Sequence, residues 1–162
     1  MEKLVMRRAI PQDRRRIAGW PPYPAEFGEL DYALRRNGWL DEFLEKENAW
    51  IYVTERDGAP IAFSLLAMEG VSGAEFRIAL HADHLGKGLG RIITQRTMEL
   101  GFHVHGLQRI HLIVRRNNHR ARRLYESMGF RPCGSCVKDV NGCSVEFQQF
   151  EYLPAPVNPG RG

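Results

Sequence analysis

The chain has 162 residues, 43% hydrophobic and 26% charged, with a formal net charge of +4 and a pI near 9.2. That length suits one domain with a core large enough to fold without disulfides or a structural metal, and the composition excludes a disordered chain. No apolar run approaches the roughly 20 residues of a membrane span. The opening stretch, MEKLVMRRAI, carries charges among its apolar residues and has no signal-peptide core, so a cytoplasmic location and no membrane partner are expected.

Arginine supplies much of the positive charge, at positions 14–16, 35–36, 115–116, 120, 122 and 123. The clusters are scattered, not gathered into a basic surface interleaved with aromatics. Solvated faces explain them better than a nucleic-acid partner does.

In chain order, KLVMRRAI (3–10) reads as a strand ended by Pro11, and Asp13 is placed to cap a short helix reaching about Trp20. WPPYP (20–24) breaks regular structure, and a helix-rich section follows over about 29–47. WIYVTE (50–55), the turn RDG and PIAFSLLAM (60–68) form a hairpin, and AEFRIALH (74–81) a third strand. A glycine-rich turn leads into a helix over about 89–104, in which Leu89, Ile92, Ile93, Arg96, Thr97 and Leu100 recur at helical spacing.

RIHLIVR (109–115) reads as a buried strand and NHRARRLYESMG (118–129) as a short helix with Gly129 at its C-terminal cap. A C-terminal hairpin turns at Asn141 and Gly142, and 154–162 forms a flexible tail after a domain spanning 1–153. The expected fold is a single mixed α/β domain. Cys133 and Cys136 have redox-motif spacing, but in a hairpin they would point to opposite faces, and no fourth ligand completes a zinc site. The thiols are structural or incidental, and no metal is expected.

The stretch ALHADHLGKGLGRIITQ (79–95) carries the first chemical signal. Lys87 is followed by Gly88, so a Walker A hydroxyl is missing, and the glycine spacing does not fit a dinucleotide fingerprint. What remains is a strand, a glycine turn and a helix N-terminus, an arrangement that offers peptide N–H groups and a positive dipole end to a diphosphate. A tight structural turn uses the same residues, so this stretch alone does not decide between the two.

The second segment does. HLIVRRNNHRARRLYESMGF (111–130) places Asn118, Ala121, Leu124, Tyr125, Gly129 and Phe130 in the pattern N-x-x-A-x-x-L-Y-x-x-x-G-F. Together with Gly88 and Gly90 of a [QR]-x-x-G-x-[GA] loop, this resembles the GCN5-related N-acetyltransferase (GNAT) family, near its ribosomal-protein N-terminal and spermidine N-acetyltransferase branch. Leu85 departs from the pattern, standing where Gln or Arg is usual.

The resemblance implies a largely antiparallel twisted sheet flanked by helices with a splayed central strand pair, and acetyl-CoA as co-substrate. It implies that backbone groups of Leu80, His81 and Ala82 pair with the pantetheine arm. The turn fronted by Leu85, with Gly86, Lys87, Gly88, Leu89, Gly90 and Arg91, would hold the diphosphate. Asn118 would meet the pantetheine arm, and Arg122 or Arg123 a CoA phosphate. Tyr125 would act as the acid beside the departing sulfur.

For the base, strand alternation sets Glu75, Arg77, Ala79 and His81 on one face, and Glu75 is preferred over His81 and Glu69. An N–H near Leu80 would serve the oxyanion. The acceptor would be a small-molecule amine or a protein N-terminus or lysine, met by the aromatic and acidic stretch 19–32. A homodimer is compatible with the family. The competing reading is a non-catalytic acyl-CoA-binding or sensing domain.

Overall fold

The computed structural model describes residues 3–21, 43, 46–140 and 142–154. The expected helix-rich section 29–47 lies mostly outside those residues, as do Asn141 and nearly all of the expected tail.

The elements are β1 (Leu4–Arg8), α1 (Pro11–Ala18), β2 (Ala49–Arg56), β3 (Ala59–Glu69), β4 (Gly73–Leu80), a 3-10 turn (Ala82–His84), α2 (Leu89–Glu99), a wide turn (Leu100–Val104), β5 (Arg109–Arg115), α3 (His119–Ser127), β6 (Arg131–Val140) and β7 (Cys143–Tyr152). They form one seven-stranded sheet in the order β1-β2-β3-β4-β5-β7-β6. Every neighbouring pair is antiparallel except β4 and β5. The expected mixed α/β sheet is present.

The two faces of the sheet are set by strand alternation. On one face Ile51, Val53, Phe63, Leu65 and Ala79 pack with Ile17 of α1 and with Phe43. On the other, Leu66, Ala74, Phe76, Ile110, Leu112 and Phe150 form a core with Met98 of α2 and Tyr125 of α3. We call these the α1 face and the α2 face. Ser64 and Thr97 share a buried hydrogen bond of 2.8 Å that pins α2 to β3.

Asp13 plays a different part from the expected N-cap. Pro11 occupies the first helical turn with Ile10 as the N-cap, and Asp13 reaches back to accept from the Ile10 N–H at 2.8 Å. It is fully buried and accepts two further bonds from Arg7, at 2.8 and 2.7 Å. Burial works against its charge, but the Arg7 guanidinium and the Ile10 N–H win and hold the carboxyl below its ordinary range. Those bonds are stronger than an N-cap hydroxyl would give.

The expected long helix after the glycine turn ends at Glu99 and passes into a π-type turn. The extra residue per turn re-aims the helix face. Thr94 and Met98 are buried, whereas Ile92 is exposed. The turn also seats Gly101 where a Cβ would come within 3.0 Å of Ile110 and Leu66 and 3.1 Å of Leu107. His105 then stacks on Trp50 with ring centroids 3.8 Å apart.

The expectation that Cys133 and Cys136 face opposite ways is corrected by a bulge between Pro132 and Gly134. Cys133 has no partner in the ladder, and the register moves by one residue, so Cys136 pairs with Phe147 on the α1 face. Cys133 lies against Arg109, whose side chain belongs to the same face. All three thiols are free.

Candidate active site

The site begins where the sheet parts. β4 and β5 are in register over only three pairs, Gly73 with Arg109, Ala74 with Ile110 and Glu75 with His111. Beyond that last rung β4 stays with β3 as far as Leu80, while β5 stays with β7 as far as Arg115. The strands therefore diverge toward their C-terminal ends and leave a wedge that closes at Glu75 and His111.

The N–H of His81 is given to Ile61 at 2.7 Å and its carbonyl accepts from His84 at 2.9 Å. Peptide groups alternate sides in an antiparallel ladder, so that of Ile78 turns toward β5, where no residue is in register with it. The wedge is thus lined by backbone from the β4 side. Of the three positions expected to pair with pantetheine, Leu80 has the alternation that faces the wedge and His81 faces β3. Ala82 begins the 3-10 turn, with its carbonyl accepting from Leu85 at 3.3 Å.

The glycine turn sits at the open end of the wedge. Gly86 and Gly88 have φ of 75° and 77°, a region that disfavours side chains. Gly88 is the N-cap of α2, and a Cβ there would meet nothing within 4 Å. Gly90 differs: its φ is ordinary, and a Cβ would sit 3.9 Å from Leu124. The helix end thus presents free N–H donors above open space, which fits a diphosphate.

Lys87 and Arg91 are exposed, but Arg91 is tied to Ser127 Oγ at 2.6 Å. Arg122 bonds to the Arg116 carbonyl at 3.2 Å, and Arg123 is exposed. The arginine beside the loop is Arg120, whose guanidinium lies 3.2 Å from where a Gly86 Cβ would be. Sequence reading passed over it. The signal was available, because side chains in the first turn of a helix lean back toward its N-terminus, and Arg120 is the second residue of α3.

Asn118 is the N-cap of α3, its carbonyl oxygen accepting from the Ala121 N–H at 3.1 Å. Its amide NH2 is left to donate elsewhere. Gly129, with φ of 102°, closes the helix where expected, and the Gly129 and Phe130 N–H groups return to Glu126 and Tyr125. Tyr125 is buried on the α2 face against Phe130, edge to face with centroids 5.6 Å apart. No residue among those described hydrogen-bonds its hydroxyl, and burial pushes the phenol up to about 12. It is a protonated donor without a partner.

The opposite face of the wedge's closed end is ionic. Glu75 is 7% exposed and accepts from Arg77 Nε at 2.5 Å. The Arg77 guanidinium stands 4.9 Å over the Phe43 ring. Across the last rung His111 is 8% exposed, with Nε2 2.8 Å from Glu69 Oε2. Arg109 pairs with Glu151 at 2.7 Å. His81 sits apart, its Nδ1 accepting from the Asp83 N–H at 3.1 Å and its ring edge-on to Trp20.

Trp20 is the one aromatic of the expected acceptor stretch within the described residues; Tyr23 and Phe27 lie outside them. His111 escaped the sequence reading because its proximity to Glu75 depends on the β4–β5 register.

The two motifs that resemble the GNAT family thus flank the wedge, and comparison with known proteins bears on the family itself. The profile of the Acetyltransferase (GNAT) family matches residues 16–130. The chain belongs to the Acetyltransferase (GNAT) family. The expectation of an acetyl-CoA-dependent N-acetyltransferase is met at that level, since the family moves acetyl groups from acetyl-CoA to amines.

Among similar curated proteins, spermidine N(1)-acetyltransferase of Escherichia coli K12 is 27% identical over 130 residues, 75% of this chain and 70% of that protein. Mycothiol acetyltransferase of Beutenbergia cavernae is 33% identical over 95 residues, 58% of this chain but only 30% of that protein. Among solved structures, a dodecameric spermidine N-acetyltransferase from Vibrio cholerae superposes with a TM-score of 0.72 at 26% identity, covering 93% of each chain. Among the described residues no helix is long and apolar enough to cross a membrane.

Proposed function

We propose that this GNAT protein acetylates a small-molecule primary amine by direct attack of the amine on the thioester of acetyl-CoA. The observation that carries the reading is the wedge, which closes at the Glu75–His111 rung and has a glycine-lined helix end at its mouth, with Tyr125 in the core on the α2 face and the side chains of that rung on the α1 face. Five residues separate Leu80 from Glu75 along β4, which at ~3.3 Å per residue is about 16 Å, of the order of an extended pantetheine arm. A diphosphate held by the turn from Gly86 to Arg91, with Arg120 beside it, would bring the thioester to the rung.

There Tyr125 meets the sulfur from the α2 face and the amine arrives from the α1 face. At about 12 the phenol lies ~3.5 units above an ordinary thiol. Its contribution is therefore a hydrogen bond that strengthens as negative charge gathers on sulfur. Glu75, buried and paired with Arg77, supplies the negative charge that steers an ammonium to the rung. The E. coli and V. cholerae relatives are named for spermidine, so aliphatic polyamines head the set of candidate acceptors. Self-association, in a homodimer or larger assembly, is part of the same proposal.

The test is thiol release from acetyl-CoA across polyamines, amino acids, aminoglycosides and N-terminal peptides. Amine-dependent release supports the reading. Tight CoA binding without release to any amine favours an acyl-CoA-binding domain instead, and no CoA binding removes both.

A further inference from the structure

We propose that His111, held by Glu69, takes the proton from the acceptor amine; the inference rests on the acetyl-transfer reading above. Glu75, the carboxylate favoured by strand alternation, is committed to Arg77 at 2.5 Å. That charge-assisted hydrogen bond occupies the carboxylate oxygen and turns it toward the guanidinium. His81 spends its Nδ1 on the Asp83 N–H beyond the open end of the wedge. Glu69 is largely exposed, and its carboxylate faces the imidazole.

His111 is different on each count. It stands on the last rung before the strands part, in register with Glu75, on the face opposite Tyr125, and its ring is almost wholly buried. Its Nε2 is sealed from solvent and lies at ion-pair distance from Glu69, though not aligned as a hydrogen bond. An ionised carboxylate only accepts, so the Nε2 beside it carries the proton and Nδ1 keeps the lone pair. Nδ1 has no hydrogen-bond partner among the described residues. A carboxylate that orients one nitrogen while the other works is the logic of a catalytic dyad.

The steps balance. R–NH3+ gives one proton to Nδ1, forming an imidazolium stabilised by Glu69. The freed lone pair attacks the carbonyl carbon, forming the C–N bond. The second nitrogen proton passes to water as the C–S bond breaks and sulfur leaves with the electron pair. The thiolate hydrogen-bonds to Tyr125 and takes up a proton that water resupplies. The imidazolium returns its proton to water, so the sum is amide, thiol and one proton.

The charged groups facing His111 are Glu69 from β3, Glu75 and Arg77 from β4, Arg109 beside it on β5 and Glu151 from β7. Of these, Glu69 is the one whose carboxylate lies at ion-pair distance from the ring.

The experiment measures kcat against pH for wild type, His111→Gln and Glu69→Gln, with acetyl-CoA affinity by calorimetry. His111→Gln should lower kcat roughly 10²–10⁴-fold and lose the acidic limb, with acetyl-CoA binding retained as the sign of an intact fold. Glu69→Gln, on an exposed side chain, should lower kcat less than His111→Gln does, and should add no further loss when combined with His111→Gln. A His111→Gln enzyme with unchanged kcat and limb, or a Glu69→Gln loss that persists in full on top of His111→Gln, overturns the assignment and leaves acetyl transfer standing. Wild type that releases no thiol with any amine overturns both.

Discussion

At the scale of single residues, Tyr125 joins two facts that are seldom found together. Its ring is buried against Phe130, and none of the described residues hydrogen-bonds its hydroxyl. An incoming sulfur would provide the acceptor. Tyr125→Phe should therefore lower kcat about 10²-fold or more while acetyl-CoA affinity and melting temperature hold or rise, read by steady-state kinetics, calorimetry and thermal unfolding. The same burial has a pH signature. The phenol ionises near 12 in the folded chain and near 10 once unfolded. The protonated form is the one the fold prefers, so Tyr125's contribution to stability is complete below about pH 10 and is lost as pH rises through about 12. Urea midpoints between those limits should fall less steeply in Tyr125→Phe than in wild type.

At the scale of elements, the two glycines of the motif separate into different physical jobs. Gly88 caps α2 in the left-handed region with open space around it, whereas Gly90 is helical and faces Leu124 at van der Waals range. Gly88→Ala should cost about 1–2 kcal/mol from φ alone. Gly90→Ala should leave stability equal or raised by up to ~1 kcal/mol, since alanine is the better helix former. If both weaken acetyl-CoA binding, the amides of both positions are approached by the diphosphate. If Gly90→Ala binds normally, the approach ends at Gly88.

The sequence made this turn, the α3 motif and the hairpins legible, because each is local: a strand period, a helix period and a residue type at a fixed offset. It also set a helix over 118–129, of which the structure makes Asn118 the cap and Tyr125 a buried residue. It missed His111 and misjudged Cys133 and the end of α2, which depend on register, on a bulge and on a π-type turn, none of which leaves a periodic trace. Arg120, which it passed over, and Asp13, which it misjudged, both lie in the first turn of a helix, where the lean of the side chain was legible.

At the scale of the whole molecule, the sheet is two units joined at a narrow seam. β1 to β4 form one antiparallel run and β5, β7 and β6 another, and only the three pairs from Gly73 to Glu75 stitch them side to side. The shared α2-face core, with Leu66 and Phe76 on one side of the seam and Ile110, Leu112 and Phe150 on the other, supplies the rest of the adhesion. Antiparallel ladders continue on the far side of both strands, so the wedge is a break in the backbone ladder inside the sheet, apart from its outer edges at β1 and β6. A ligand lying in it would act as a missing strand, bonding to the β4 edge while its phosphates engage the N-terminus of α2, next to Arg120 on α3. Binding should then stabilise the protein as a whole. At 100 times Kd the gain is about 2.7 kcal/mol, which for a chain of this size corresponds to roughly 5–10 °C in melting temperature. It should also be local in a particular way. Amide exchange at Ile78, whose peptide group faces the wedge, should slow more than exchange at His81, whose N–H is already given to Ile61. Equal slowing at both positions would mean that acetyl-CoA tightens the sheet without entering the seam, and the placement of the thioester at the Glu75–His111 rung would have to be abandoned.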